Sequence, residues 1–176
     1  PDGIGAAAVT DAGAAWVMST QGEVTGFDEK GHPHATFQAC PDRGARLDFW
    51  LARTGAWAAV DCGPTLRVFH LPRGELVFEV DVFTTDAAFA PDGRQIAVLG
   101  ERIVDGVSEA TSNLLVYDLP SGKAHEPVPS DWEAVWGVTG GWIGATTRES
   151  DGPLYVEGRI AAGVNVLKWR WIAPEA

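Results

Sequence analysis

The chain is poor in several residue types that other folds need. Its 176 residues hold one methionine, two tyrosines, two cysteines and 13 basic residues against 24 acidic ones. No apolar run approaches the roughly 20 residues of a membrane-spanning helix, which excludes insertion by that route. No stretch repeats apolar residues at i, i+3, i+4 and i+7 over a helix length with capping signals, which argues against helical architecture. No Lys/Arg cluster interrupts the net charge of −11. A surface of that sign repels phosphate backbones, so neither nucleic acid nor an anionic membrane is the expected partner, and the charge itself reads as a solubility feature. Two cysteines are too few for a disulfide framework and enough for one bridge. The chain starts at Pro1 without a charged-then-apolar leader. A removed signal peptide, a trimmed Met and a longer parent chain all fit that start, and the compartment stays open.

What is plentiful points elsewhere. Apolar residues make up 45% of the chain, with 21 Gly, 11 Pro and 8 Trp, a balance suited to one folded domain of many short strands and tight turns. Four turn signals recur at Asp11-Ala12-Gly13, Arg53-Thr54-Gly55, Pro91-Asp92-Gly93 and Thr139-Gly140-Gly141, with glycines 42, 38 and 48 residues apart. A second series, Glu29-Lys30-Gly31, Pro72-Arg73-Gly74, Pro120-Ser121-Gly122 and Ala161-Ala162-Gly163, interleaves with it at 43, 48 and 41. Each period divides into four strand-length pieces: 4–10, 14–20, 23–28 and 34–40; then 46–52, 56–62, 66–71 and 75–82; then 86–90, 95–105, 113–119 and a weak last piece near 125–128; then 134–138, 142–148, 154–160 and 164–172. Pro127 and Pro129 confine that weak piece to a sheet edge. Four strands repeating every 40 to 45 residues or so define the blades of a β-propeller. The expected fold is all-β: one propeller domain over 1–176, with four four-stranded antiparallel blades at about 4–41, 46–82, 86–129 and 134–172.

Blades stack face to face, so their inner strands should be apolar on both sides. Ala6-Ala7-Ala8-Val9, Ala58-Ala59-Val60 and Ile96-Ala97-Val98-Leu99 meet that need. Third strands end in an aromatic at Phe27-Asp28, Phe69-His70 and Tyr117-Asp118, placed to wedge between blades while the Asp accepts a backbone bond in the turn. The run Ala87-Ala88-Phe89-Ala90-Pro91-Asp92-Gly93-Arg94-Gln95-Ile96-Ala97-Val98 resembles the first hairpin of a WD-repeat or TolB-like blade. Leu114-Leu115-Val116-Tyr117-Asp118-Leu119-Pro120-Ser121-Gly122-Lys123 resembles its third strand and following turn. No Trp-Asp pair ends a third strand and no Gly-His pair opens a blade, so the resemblance is to WD-like blades without the hydrogen-bonded tetrad of true WD repeats. WD-like propellers usually carry more than four blades. The choice is between a compact four-bladed ring and part of a seven- or eight-bladed one, and the second is the expectation.

Cys40 ends an outer strand and Cys62 ends a second strand of the next blade. Two strand spacings of about 4.8 Å would separate them, more than the roughly 7 Å Cα limit of a bridge unless the loop bends inward. A disulfide and two separate thiols both remain open, with separate thiols favoured. His32-Pro33-His34 beside Asp28 and Glu29 reads as an exposed turn rather than the three or four converging ligands of a metal site. No serine sits in a Gly-x-Ser-x-Gly elbow and no Gly-rich loop leads into a helix, so the chain reads as non-catalytic and without a cofactor. One connection is unusually long, residues 100–112, where Asp105-Gly106 reads as a hairpin turn. It offers Arg102, Asp105 and Glu109, and loops of neighbouring blades offer Arg43, Trp132, Glu133, Arg148 and Asp151. The resemblance implies a protein-interaction or assembly scaffold whose partner is another protein or the remainder of a larger propeller. Its rivals are a propeller guarding a separate prolyl-oligopeptidase-like hydrolase domain, and a small-ligand propeller using Trp136, Trp142, Trp169 and Trp171.

Overall fold

Gly13, Gly55 and Gly93 take φ values of 83°, 74° and 68°, a region closed to most side chains, and reverse the chain between the first two strands of successive sheets. The computed structural model describes residues 3–41, 48–108, 112–125, 127–129, 134–138, 141–146, 155–160 and 163–170. The first sheet holds β1 (Ile4–Val9), β2 (Ala15–Ser19), β3 (Glu23–Phe27) and β4 (Pro33–Gln38) in that order. The second begins with β5 (Phe49–Leu51), β6 (Trp57–Asp61) and β7 (Thr65–His70), and a 3-10 turn at Leu71–Arg73 leads to β8 (Glu75–Phe89). The third continues with β9 (Gln95–Val104), β10 (Val107–Ser108), β11 (Asn113–Asp118), β12 (Lys123–Ala124) and β13 (Val128–Pro129). The last holds β14 (Ala134–Val138), β15 (Gly141–Thr146), β16 (Tyr155–Ile160) and β17 (Gly163–Arg170). The pairings are antiparallel and join sequence neighbours, apart from the inserted β10 and from β13, which pairs β11, and the innermost strands β1, β5, β8 and β14 pack in succession. This is the blade arrangement of a β-propeller.

Two strands differ from the sequence reading. The pieces 75–82 and 86–90 are one strand, β8, whose first half pairs with β7 and whose second half pairs with β9 across a bulge between Thr84 and Asp86. The linking Val82-Phe83-Thr84-Thr85 is β-branched and aromatic with no Gly or Pro to break it, so the backbone stays extended from blade to blade. The outer strand of the third blade is split, β12 pairing one end of β11 and β13 the other.

The cores lie between blades. On β6, Ala58 and Val60 face the first blade's Trp16, Met18 and Val24, whereas Ala59 faces the third. On β9, Ile96 and Val98 pack toward β7, while Ala97 and Leu99 pack with Val135 of β14. The wedge aromatics work in pairs: Phe69 lies on Phe37 with ring centroids 4.9 Å apart, and Tyr117 lies on Phe78 at 5.7 Å. The Ala6–Val9 segment departs from the expected two-sided cover. Ala6 packs toward the second blade, but Ala7 is exposed and Val9 is 67% exposed, because no sheet among the described residues lies on the other side.

Cys40 and Cys62 form a disulfide with Cα atoms 5.5 Å apart, which overturns the preference for separate thiols. The layer argument fails because β4 ends at Gln38. Ala39 and Cys40 then curl over the β2–β3 turn, both N–H groups donating to the Gly22 carbonyl (2.8 and 3.4 Å), and Gln38 Nε2 donates to the Cys40 and Gln21 carbonyls. That bend carries Cys40 inward from its outer strand to the second blade. The bridge ties two blades across 22 residues of chain. Replacing both cysteines by serine should lower unfolding stability by about 3 kcal/mol, the usual effect of closing a loop of this size. Urea melts with and without reductant check this, and coincident curves would refute it.

Candidate interaction surface

β9 runs beyond its blade as a two-stranded projection. It continues past Gly100 to Val104, turns at Asp105 (φ 53°) and Gly106 (φ 77°), and returns as β10, with Val107 opposite Val104 and Ser108 opposite Ile103. Two consecutive positive φ values match a type I′ turn, the form whose twist suits a hairpin, and Asp-Gly supplies both. Ser108 Oγ donates to Glu101 Oε2 at 2.6 Å across the hairpin. Apolar side chains stand in solvent here: Val107 is 68% exposed and Phe83, on β8 opposite Glu101, is 48% exposed.

Of the residues singled out in the sequence, Arg102 and Asp105 are carried by this hairpin. Arg102 is half-buried opposite Val82, and Asp105 is at the exposed tip. Arg43, Glu109, Trp132, Glu133, Arg148 and Asp151 lie outside the described residues. Burial pushes the Tyr117 phenol above its ordinary range, and the Arg102 charge opposes that rise.

The turn aspartates divide. Asp28 Oδ1 accepts the N–H groups of Lys30 (2.9 Å) and His32 (2.8 Å), and the His32 N–H chiefly holds this carboxyl below its usual value. Asp118 does not cap its turn through its side chain. Its Oδ1 meets His125 Nε2 and Gln95 Nε2, each at 2.8 Å, and these two contacts, His125 first, hold it below the usual carboxylate value. His34 stands edge-on to Trp16 at 5.3 Å, and His32 Nδ1 lies 3.4 Å from Asp28.

Sequence reasoning missed Asp86. Its Oδ1 accepts the indole N–H of Trp50 (2.9 Å) and the N–H of Ala87 (2.9 Å), and its Oδ2 accepts the N–H of Val135 (2.8 Å). One carboxylate thus joins β5, β8 and β14, the inner strands of three blades. The signal was available: Asp48 and Asp86 each stand seven residues before a hairpin glycine, Gly55 and Gly93. Trp136 occupies on β14 the place of Trp50 on β5, one residue after a side chain facing the preceding blade, and it is 50% exposed.

Solved structures share this fold. The chain is similar to the RRP9 WD40 repeats (TM-score 0.66, 12% identity, 88% of this chain and 48% of that one). It is also similar to U3-55K (TM-score 0.65, 12% identity, 88% and 48%) and to the Swd1 β-propeller domain of Myceliophteria thermophila (0.60, 12%, 88% and 50%). The fold is that of a WD-repeat-like β-propeller, and the chain spans about half the length of these structures. No protein-family model matches the chain, and no curated protein is significantly similar to it in sequence. Among the described residues, no helix is long and apolar enough to cross a membrane.

Asp86→Ala leaves the Trp50 indole and Val135 amide without their charged acceptor and should cost about 3 kcal/mol in denaturant titration, whereas a loss under about 1 kcal/mol would show these donors satisfied otherwise. Asp118 titrates lower folded than unfolded, so its contribution is complete above the unfolded value near 3.9 and vanishes as pH falls through the folded value. The midpoint of thermal unfolding should therefore drop more steeply below about pH 4 in the parent than in Asp118→Asn, and parallel curves would refute the link.

Proposed function

We propose that residues 1–176 act as one non-catalytic WD-like propeller unit in protein–protein contact or assembly, with the 100–112 hairpin as its contact element. The observation that carries this reading is the hairpin's composition. Apolar Val104 and Val107 of the hairpin, with Phe83 of the adjoining β8, stand exposed beside charged Glu101, Arg102 and Asp105, on a projection that runs beyond the last β9–β11 pair. Apolar anchors ringed by charge are the pattern of protein interfaces. The net charge of −11 supports a protein partner over a polyphosphate one. Arg43, Glu109, Trp132, Glu133, Arg148 and Asp151 belong to the proposed surface as residues of the same and neighbouring connections. The reading requires no cofactor and no metal, and fold alone does not decide it.

Replacing residues 101–112 by a two-residue Asn-Gly turn should leave the thermal midpoint nearly unchanged and abolish capture of the partners that the parent chain crosslinks. Capture that survives the replacement would refute the assignment. A large fall in the midpoint would do the same, by showing the hairpin to be part of the core.

A further inference from the structure

We infer that the open face of the first blade is a docking seam for a further four-stranded blade whose outermost strand carries a large aromatic residue. The inference stands on the blade seams alone and does not depend on the hairpin.

The two described seams at which a third-strand turn glycine meets the preceding blade use the same three parts. At the first, Phe37 of β4 covers Gly74 so closely that a methyl group added there would lie 2.8 Å from its Cδ1, and Phe37 also stacks on Phe69 of the third strand. At the second, Phe78 of β8 covers Gly122 at 2.9 Å in the same sense and stacks on Tyr117. The aromatic is thus a knob from the outer strand of one blade. It seats in a notch made by a glycine and a third-strand aromatic of the next, and any side chain on the glycine would fill that notch. The hairpin glycines add a smaller contact of the same kind: Gly55 meets Thr10 at 2.9 Å and Gly93 meets Thr54 at 3.4 Å.

The open side of the first blade carries the receiving half of this arrangement, and among the described residues no knob fills it. Phe27 ends its third strand as Phe69 does, after the same bulge, which falls between Gly26 and Phe27 in one blade and Val68 and Phe69 in the other. Gly31 follows at the position of Gly74 and Gly122, has φ 79°, and an added methyl group there would meet nothing within 4 Å. Gly13, at the place of Gly55 and Gly93, has only Glu29 of its own blade at 4.0 Å. On the same open face the inner strand exposes Ile4 (73%), Ala7 and Val9. A sheet side that presents a turn glycine, an aromatic and small apolar residues is continuous in kind with the two interfaces already formed. A blade is therefore the occupant it fits, rather than a helix or a ligand. Repeat architectures couple neighbour to neighbour in this way, each unit covering the face its neighbour cannot bury alone. The half-length overlap with the solved propellers leaves room for such a blade.

The test adds a blade to the full chain. A copy of residues 3–47, which brings its own Phe37, is placed directly ahead of Gly3, and a second version uses residues 48–85, which bring Phe78. Hydroxyl-radical footprinting reads Ile4, Val9 and Phe27 of the original first blade. Several-fold protection in either version, reversed when the added knob alone is changed to Ala, is the expected result. Gly31→Leu carries the same backbone strain at φ 79° in both chains, so it should lower the melting midpoint of the protected version by more than that of the unextended chain. Labelling that stays at the parent level in both versions overturns the proposal. So does a parent chain that light scattering shows to be a dimer with Ile4, Val9 and Phe27 already protected, because a second copy would then own the face.

Discussion

A sheet that is apolar on both faces has to be covered twice, and the rest of the structure follows from that demand. On β9, Ile96 and Val98 leave one face and Ala97 and Leu99 the other, all without solvent exposure. Burying each large aliphatic side chain stabilises the fold by about 1.5–3 kcal/mol, yet no single blade can bury both of its sides. Stacking is therefore the condition for each blade's existence, and hydrophobic cover alone sets neither the angle nor the register at which the blades stack. Asp86 supplies that direction. Its two oxygens receive N–H groups from strands on either side at fixed places, inside an otherwise apolar seam where an unmet carboxylate would be costly.

The other polar and covalent links obey the same nearest-neighbour logic. Asp11 receives Arg53 at 3.2 Å and donates its own N–H to the Arg53 carbonyl, joining the hairpin turns of the first two blades. Arg67 of β7 donates to the Ala39 carbonyl at 3.1 Å while pairing with Glu79 of β8, so one guanidinium bridges the same two blades from the inside. The disulfide reinforces that junction a third time. The first blade, covered on one side only among the described residues, is thus tied to its neighbour in three ways. An exposed ion pair such as Asp11–Arg53 contributes little by itself, so the covalent bridge and the half-buried Arg67 are the ties that count.

The parts of this architecture visible in the sequence are those set by local chemistry. Turn glycines announce themselves because positive φ excludes other residues, and the alternating small apolar residues of β6 and β9 state their two-sided burial directly. The third-strand aromatics Phe69 and Tyr117 were legible as wedges for the same reason, since their spacing to the next glycine repeats. What escaped depends on how strands are bent or continued. The Cys40–Cys62 bridge rests on the two-residue curl after Gln38, which no periodicity encodes, and the continuity of β8 rests on the mere absence of a breaker. Asp86 escaped because a lone aspartate before an apolar run looks like a strand edge, and only its donors from two other blades show what it does. At the hairpin, Asp105-Gly106 was readable as a turn, whereas the exposure of Phe83, a neighbour on another strand, was not.

The hairpin's position also bears on how it can bind. Its base is the most constrained part of β9, buried on both sides, and Gly100 sits where the Phe83 carbonyl leaves no room for a side chain. That close approach accompanies the bulge between Thr84 and Asp86, so the strand pair is re-aimed at the point where it leaves the blade. Asp86 lies on the inner side of the same bulge, held from both neighbouring blades. The seam that orients the blades therefore also orients the projection, two residues away along the strand. A projection so anchored would lose little conformational freedom on binding, which suits the contact role proposed for it.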